Sequence, residues 1–253
     1  MKPEISEGFL LRATPYGEAD LVAALLTRRW GRIAVLAKGA RKSRRRFGGA
    51  LDYFHHLRAE VRPGRSGMGR LLGVELVRPF GRLRENVEAY WAGSQVLEVA
   101  RLGTREGDPD EPFFSLVEAT LAALDRGGEP RSLVRVFQAR ALAALGYGLP
   151  VEECPACAEP YGGYGAACHA AGPGGIRCGS CAEPGAVRLS PGTLRTLRAA
   201  VELPLDRLGG LRVSASAEEE AGPLLEAGLT AALGVRPRAL TPPIDPLRVP
   251  AIP

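Results

Sequence analysis

Two different spacings of apolar residues divide the chain. Over the first 80 residues they fall in short runs rich in branched and aromatic side chains: ISEGFLLR (5–12), LVAALLT (21–27), RIAVLAK (32–38), LDYFHHLRAEV (51–61) and RLLGVELV (70–77). Turn residues separate the runs: Thr14-Pro15-Tyr16-Gly17, Trp30-Gly31, Gly48-Gly49 and Pro63-Gly64. This pattern predicts five strands. In 51–61 the alternation puts Leu51, Tyr53, His55, Leu57, Ala59 and Val61 on one face, and Asp52, Phe54, His56, Arg58 and Glu60 on the other. Five strands in so short a stretch suit a small closed barrel, because closure removes exposed strand edges. The five-stranded OB-fold is the candidate.

After Pro79 the period lengthens. Val87, Tyr90, Trp91, Leu97 and Ala100 recur at helical spacing in 84–102, and Phe113, Leu116, Val117, Leu121 and Leu124 do so after Asp108-Pro109. A third set, Leu133, Phe137, Ala141 and Leu145, runs to Gly146, a residue suited to ending a helix. Helical signals resume at Ser190-Pro191, a capping residue followed by a first-turn proline. Ser216 and Glu219 read as a capping box for a last helix that carries Pro223 early. The aromatics Tyr90, Trp91, Phe113 and Phe137 read as core. The expectation is an α+β multidomain chain. It has an OB-fold barrel over 1–80, a helical domain in two parts (81–150 and 186–240), a zinc-binding insertion over 151–185, and a Pro-rich tail over 241–253.

Charge sharpens this division. Residues 1–80 hold 16 Lys and Arg against 7 Asp and Glu, whereas the rest holds 17 against 21. The basic character therefore belongs to the barrel region and points to a polyanionic partner there. Its densest stretch is KGARKSRRRFGG (38–49), which joins the third and fourth strands. Lys38, Arg41, Lys42, Arg44, Arg45 and Arg46 can neutralise phosphates and release condensed counterions. Phe47 could stack on a base. Arg65 and Arg70, in the connection between strands four and five, add to the same candidate nucleic-acid-binding set. A solvated loop that only aids solubility is the bland alternative, and the density of the run inside a basic barrel favours nucleic acid. A membrane surface is the other polyanion, but no lipidation signal or amphipathic helix lies nearby.

The cysteines carry the second signal. Cys154-Pro-Ala-Cys157 and Cys178-Gly-Ser-Cys181 form two CxxC pairs at a spacing typical of zinc knuckles. Four thiolates complete a tetrahedral shell and leave no position for water, so the site predicts one structural zinc per chain. Cys168 and His169 lie between the pairs without a paired spacing of their own. The N-terminus lacks the apolar core of a signal peptide, and no run approaches the roughly 18–20 apolar residues of a membrane span. The expectation is a cytoplasmic protein with reduced thiols. His55 and His56 are neighbours in a strand and point apart. The P-loop, nucleophile-elbow and HExxH motifs are absent. Three histidines and no clustered carboxylate pair predict a binding protein rather than an enzyme.

Two stretches resemble a known family. GFLLRATPYGEADLVAALLTRRWGRIAVLAKGARKSRRRFGGALDYF and ALGYGLPVEECPAC are similar to segments of RecO, the bacterial DNA repair and recombination mediators, and the likeness extends over 7–57 and 133–181. The resemblance implies an OB-fold, a helical domain and a zinc-binding insertion. It implies binding to single- and double-stranded DNA and ATP-independent annealing. It also implies partnership with RecR, contact with the C-terminal tail of the single-stranded DNA-binding protein, and loading of recombinase onto coated DNA at the nucleoid. It carries Lys38, Arg41, Lys42, Arg44, Arg45 and Arg46 over as the family's basic loop. Two other classes fit the residues alone: an RNA-binding OB-fold protein and a zinc-containing DNA-binding regulator.

Overall fold

The computed structural model describes residues 2–43, 45–64, 67–161, 167–169 and 175–241, with 167–169 described through the backbone only. The expected Pro-rich tail lies, from 242 onward, outside the described residues. Five strands, β1 (Glu4–Tyr16), β2 (Asp20–Thr27), β3 (Gly31–Ala37), β4 (His55–Arg62) and β5 (Gly69–Pro79), close a barrel in the order β1-β2-β3-β5-β4. All pairings are antiparallel except the short parallel contact between β3 and β5, where Val35, Leu36 and Ala37 face Gly69, Arg70 and Leu71. This is the expected OB-type barrel. Leu10, Ala23, Leu25, Val35, Ala37, Ala59, Val61 and Leu71 fill its interior.

The fourth strand departs from the simple alternation. It starts at His55, and residues 51–54 form a turn in which Phe54 takes a φ of 59°. β4 itself stays in register with β1, and the extra residue opposite His56 and Leu57 is Val77 of β5, so the two side chains still face opposite ways. His56 is buried on the outer face of the barrel, against Phe114 and Glu118 of the following helices. Phe54 and His56 therefore lie in the core rather than on the solvent face. His56 stacks on Phe9 with ring centroids 5.0 Å apart, and its two ring nitrogens lie 3.3 Å and 3.4 Å from carboxylate oxygens of Glu7 and Glu118.

Three helices follow: α1 (Val87–Gly103), α2 (Glu111–Asp125) and α3 (Pro130–Ala144). Asn86, Asp110 and Glu129 cap them, each accepting hydrogen bonds from first-turn N–H groups. Gly146, at φ 84°, ends α3, with Gly146 N–H donating to Ala143 and Tyr147 N–H donating to Leu142. Within α1 the buried stripe is Ala89, Ala92, Val96, Leu97, Val99 and Ala100, while Val87 and Tyr90 are exposed. Tyr90 instead lies edge-on over Phe54 at the mouth of the barrel, with centroids 5.2 Å apart.

The chain then passes through three short strands, β6 (Ala167–His169), β7 (Ile176–Arg177) and β8 (Val187–Leu189), before α4 (Pro191–Glu202) and α5 (Ala215–Leu233). Ser190 caps α4 as expected. The cap of α5 is Ser214, not Ser216. Ser214 accepts from Ala217 N–H, and Ser216 sits inside the helix bonded to Glu220. Pro223 is accommodated within α5. The neighbouring Gly222 leaves room for Arg135 of α3, which pairs with Glu218 and Glu226 on either side.

Barrel and helices share a core. Phe9, Leu26, Phe54 and Phe80 pack with Val96, Val99, Phe113, Phe114 and Val117. Gly31, at φ 62°, lies so close to the Asp108 carbonyl that any side chain would collide with it. Arg28 binds Glu111 and Glu118 across the same seam. No helix among the described residues is long and apolar enough to cross a membrane.

Candidate nucleic-acid interface and metal centre

The basic loop leaves the barrel at Lys38 and turns at once. Gly39 takes a φ of 71°, and its N–H donates to the Asp20 carboxylate at 2.7 Å. Arg41 N–H donates to the Ala19 carbonyl, and Lys42 and Ser43 N–H donate to the Gly39 carbonyl. The far end is also fastened. The Arg46 carbonyl accepts from Val74 N–H of β5 at 3.0 Å, and the Arg46 guanidinium donates to the Lys38 carbonyl at 2.8 Å. Phe47 is 3% exposed and sits in the barrel interior beside Val35, Ala37 and Leu71. The loop is thus pegged to the barrel by an aromatic plug, with its polar part arched outside.

That placement corrects one expectation. A side chain sealed in the barrel core cannot stack on a base, so Phe47 is an anchor. The arch itself presents Lys38, Arg41, Lys42, Arg45 and Arg46 to solvent, and Arg70 is exposed on the adjoining β5. Arg44 and Arg65 lie outside the described residues. None of the six described cations has an acidic partner within ion-pair distance among the described residues. Arg28, Arg29, Arg58 and Arg78 of the barrel hold carboxylates, whereas Arg12 and Arg62 are exposed and, among the described residues, hold none. Unpaired cations on a fastened loop attract a polyanion and lose little conformational freedom in holding it. A groove beside the arch is lined by Arg45, Arg46 and Arg58 together with the acids Glu60 and Glu75.

The four cysteines meet in space. The sulfurs of Cys154, Cys157, Cys178 and Cys181 all lie within 4.8 Å of one another, and the Cys157–Cys178 separation is 3.6 Å. Tight turns shape both knuckles. Ala158 N–H donates to the Cys154 carbonyl with Ala158 at φ 59°, and Cys181 N–H donates to the Cys178 carbonyl. Thiols so close cannot all ionise without a cation. Cys154 is drawn down to about 6, first by the Cys178 peptide N–H. Cys181 is pushed up to about 12 by the Cys157 and Cys178 thiols. A tetrahedron with metal–sulfur bonds of about 2.3 Å has edges of about 3.8 Å, so the donor set fits a metal ion. Tyr161 braces the cluster by donating its hydroxyl to the Ile176 carbonyl at 2.8 Å, and burial together with the nearby thiols raises its pKa. The side chains of Cys168 and His169 lie outside the described set.

Family models match both halves of the molecule. One described as Recombination protein O N terminal covers residues 1–80, and one described as Recombination protein O C terminal covers 84–241. The chain belongs to the RecO family. It is 42% identical over 212 residues to the DNA repair protein RecO of Anaeromyxobacter dehalogenans (strain 2CP-C), covering 83% of this chain and 81% of the relative. The RecO of Geobacter sulfurreducens is 35% identical over 233 residues, 92% of this chain and 94% of the relative. That of Thermobifida fusca is 35% identical over 229 residues, 89% and 90% of the two chains. The basic arch falls in the N-terminal RecO match and the four cysteines in the C-terminal one. Sequence reasoning missed the residues that hold the arch, Ala19, Asp20 and Val74. Only Asp20, an acid at the end of a turn, carried any local signal.

Proposed function

We propose that this RecO-family protein is a DNA repair and recombination mediator that holds single- and double-stranded DNA on its barrel and anneals complementary strands without ATP. The observation that carries this reading is the fastened arch of cations that have no acidic partner among the described residues: Lys38, Arg41, Lys42, Arg45 and Arg46, with Arg70 beside it. Arg44 and Arg65 belong to the same set by sequence. These side chains neutralise phosphates and release counterions, which lowers the repulsion between two strands brought to one surface. The bases then pair by themselves, and nothing in this step needs a catalytic group. The chain is read as a binding protein, not an enzyme.

The resemblance to RecO mediators supports a wider role. The protein works in the cytoplasm at the nucleoid, with RecR and the C-terminal tail of the single-stranded DNA-binding protein, to load recombinase onto coated strands. The cysteine cluster holds one structural zinc. Four thiolates leave the ion no open position, and Gly-rich turns gain from it the folding energy they lack. The division into barrel, helical domain and zinc-binding insertion follows the same reading.

The test is annealing. Complementary oligonucleotides coated with single-stranded DNA-binding protein are mixed with the chain in the absence of ATP, and duplex formation is followed by fluorescence. The expected result is acceleration that R45E/R46E abolishes. A folded, metal-loaded protein without acceleration would refute the mediator reading. Tighter binding to RNA than to DNA of equal length would favour an RNA-binding protein in its place.

A further inference from the structure

The basic arch is not the only cationic surface. A cleft of about 310 Å³ opens between the end of α2 and the 3₁₀ turn Leu205–Gly210, lined by Arg126, Arg207, Arg212, Asp206 and the glycines 127, 128, 209 and 210. All three arginines are exposed, and none has an ion-pair partner among the described residues. The glycines leave the backbone bare, so a phosphate can approach closely. Asp206 is the one acid in the lining.

A chain of contacts links this cleft to the barrel. Arg78, near the end of β5, binds Asp125 at 3.4 Å. Asp125 also accepts from the Arg82 N–H at 3.1 Å, and the Arg82 guanidinium lies against Gly127 at the cleft's edge. The opposite end of β5 carries Arg70, beside the basic arch. At about 3.3 Å per residue, the strand between Arg70 and Arg78 spans about 26 Å. The arch reaches along β5 as far as Val74, where the Arg46 carbonyl is bonded, so its near end lies about 13 Å from Arg78 and only its Arg70 end lies about 26 Å away.

We infer that the Arg126–Arg207–Arg212 cleft is a second contact site for DNA phosphates, and that one DNA segment running along β5 engages the arch and the cleft together. This rests on the DNA-binding reading above. It makes the helical half part of the DNA footprint and sets a minimum length for full binding. Phosphates along one strand are about 3.4 Å apart, so a duplex of about six base pairs spans about 20 Å and cannot cover the whole arch from Arg70 together with the cleft, whereas one of about twenty can.

The experiment compares hairpin duplexes of those two lengths, binding to the full chain by fluorescence anisotropy across a salt series. The protein is tested unaltered, as R126A/R207A/R212A, and as R45E/R46E. The triple variant is expected to bind the long duplex at least tenfold more weakly and to flatten its salt slope by up to about 2.7, at about 0.9 per lost phosphate contact. Its affinity for the short duplex should stay within about twofold, because the arch alone can hold it. Unchanged long-duplex binding by the triple variant, with R45E/R46E still defective, would overturn the cleft assignment alone. Equal losses on both lengths would overturn the bridging geometry. No binding by the unaltered protein would remove the DNA reading and the second site with it.

Discussion

Phe47 shows how one residue converts a charged run into a placed surface. It fills the barrel beside Val35, Ala37 and Leu71, and the cationic arch hangs from it and from the Gly39–Asp20 bond. Removing a buried phenyl ring typically costs about 3–5 kcal/mol. F47A should therefore lower the denaturant midpoint by a corresponding amount and weaken DNA binding although no charge is lost. Chemical denaturation and anisotropy on the same preparation check both effects. An F47A protein with full stability would show that the ring is not a plug. From sequence, Phe47 reads as a stacking aromatic because it follows a basic run. Nothing local distinguishes a ring that faces out from one that closes a barrel. Tyr90 and Val87 depart in the opposite sense: helical spacing marks them as core, yet they fall on the first turn of α1, where the barrel mouth and solvent meet.

At the level of elements, pattern and spacing are informative wherever the signal is local. The five strands, the first three helices and the Ser190 cap follow from period and punctuation. What fails depends on tertiary partners. His56 keeps the face that alternation assigns it, opposite Leu57, and is buried there because α2 brings Phe114 and Glu118 over it. The cap of α5 falls two residues earlier than the box pattern suggests because Ser214 already satisfies Ala217. The cysteine pairs are legible because ligand spacing is chemistry as well as sequence. Their reach is not: Val151, Ile176 and Leu189, which flank the knuckles, enter the same core as α4 and α5. Loss of the metal should therefore be felt in the helical half. Chelation, or C154S, is expected to abolish zinc by elemental analysis and to lower the thermal midpoint of the protein. Full zinc content in C154S would contradict the four-cysteine site.

On the scale of the molecule, the two halves share one core, so the barrel that carries the cationic arch is packed against the helices. Gly31 seated on Asp108, and Arg28 bound to Glu111 and Glu118, make that seam. The sequence's charge asymmetry points to the barrel. The fastening of the arch to Asp20 and Val74 is invisible before folding. The central claim is that the arch holds DNA phosphates. The salt dependence of DNA binding by K42E/R45E/R46E, against the unaltered chain, tests it most directly. Neutralised phosphates contribute about 0.7 to the slope each for single strands and about 0.9 each for duplex. The account predicts a slope flatter by about two to three for duplex in the variant, together with weaker binding at low salt. Weaker binding with an unchanged slope, or unchanged binding altogether, would place the DNA elsewhere on the protein.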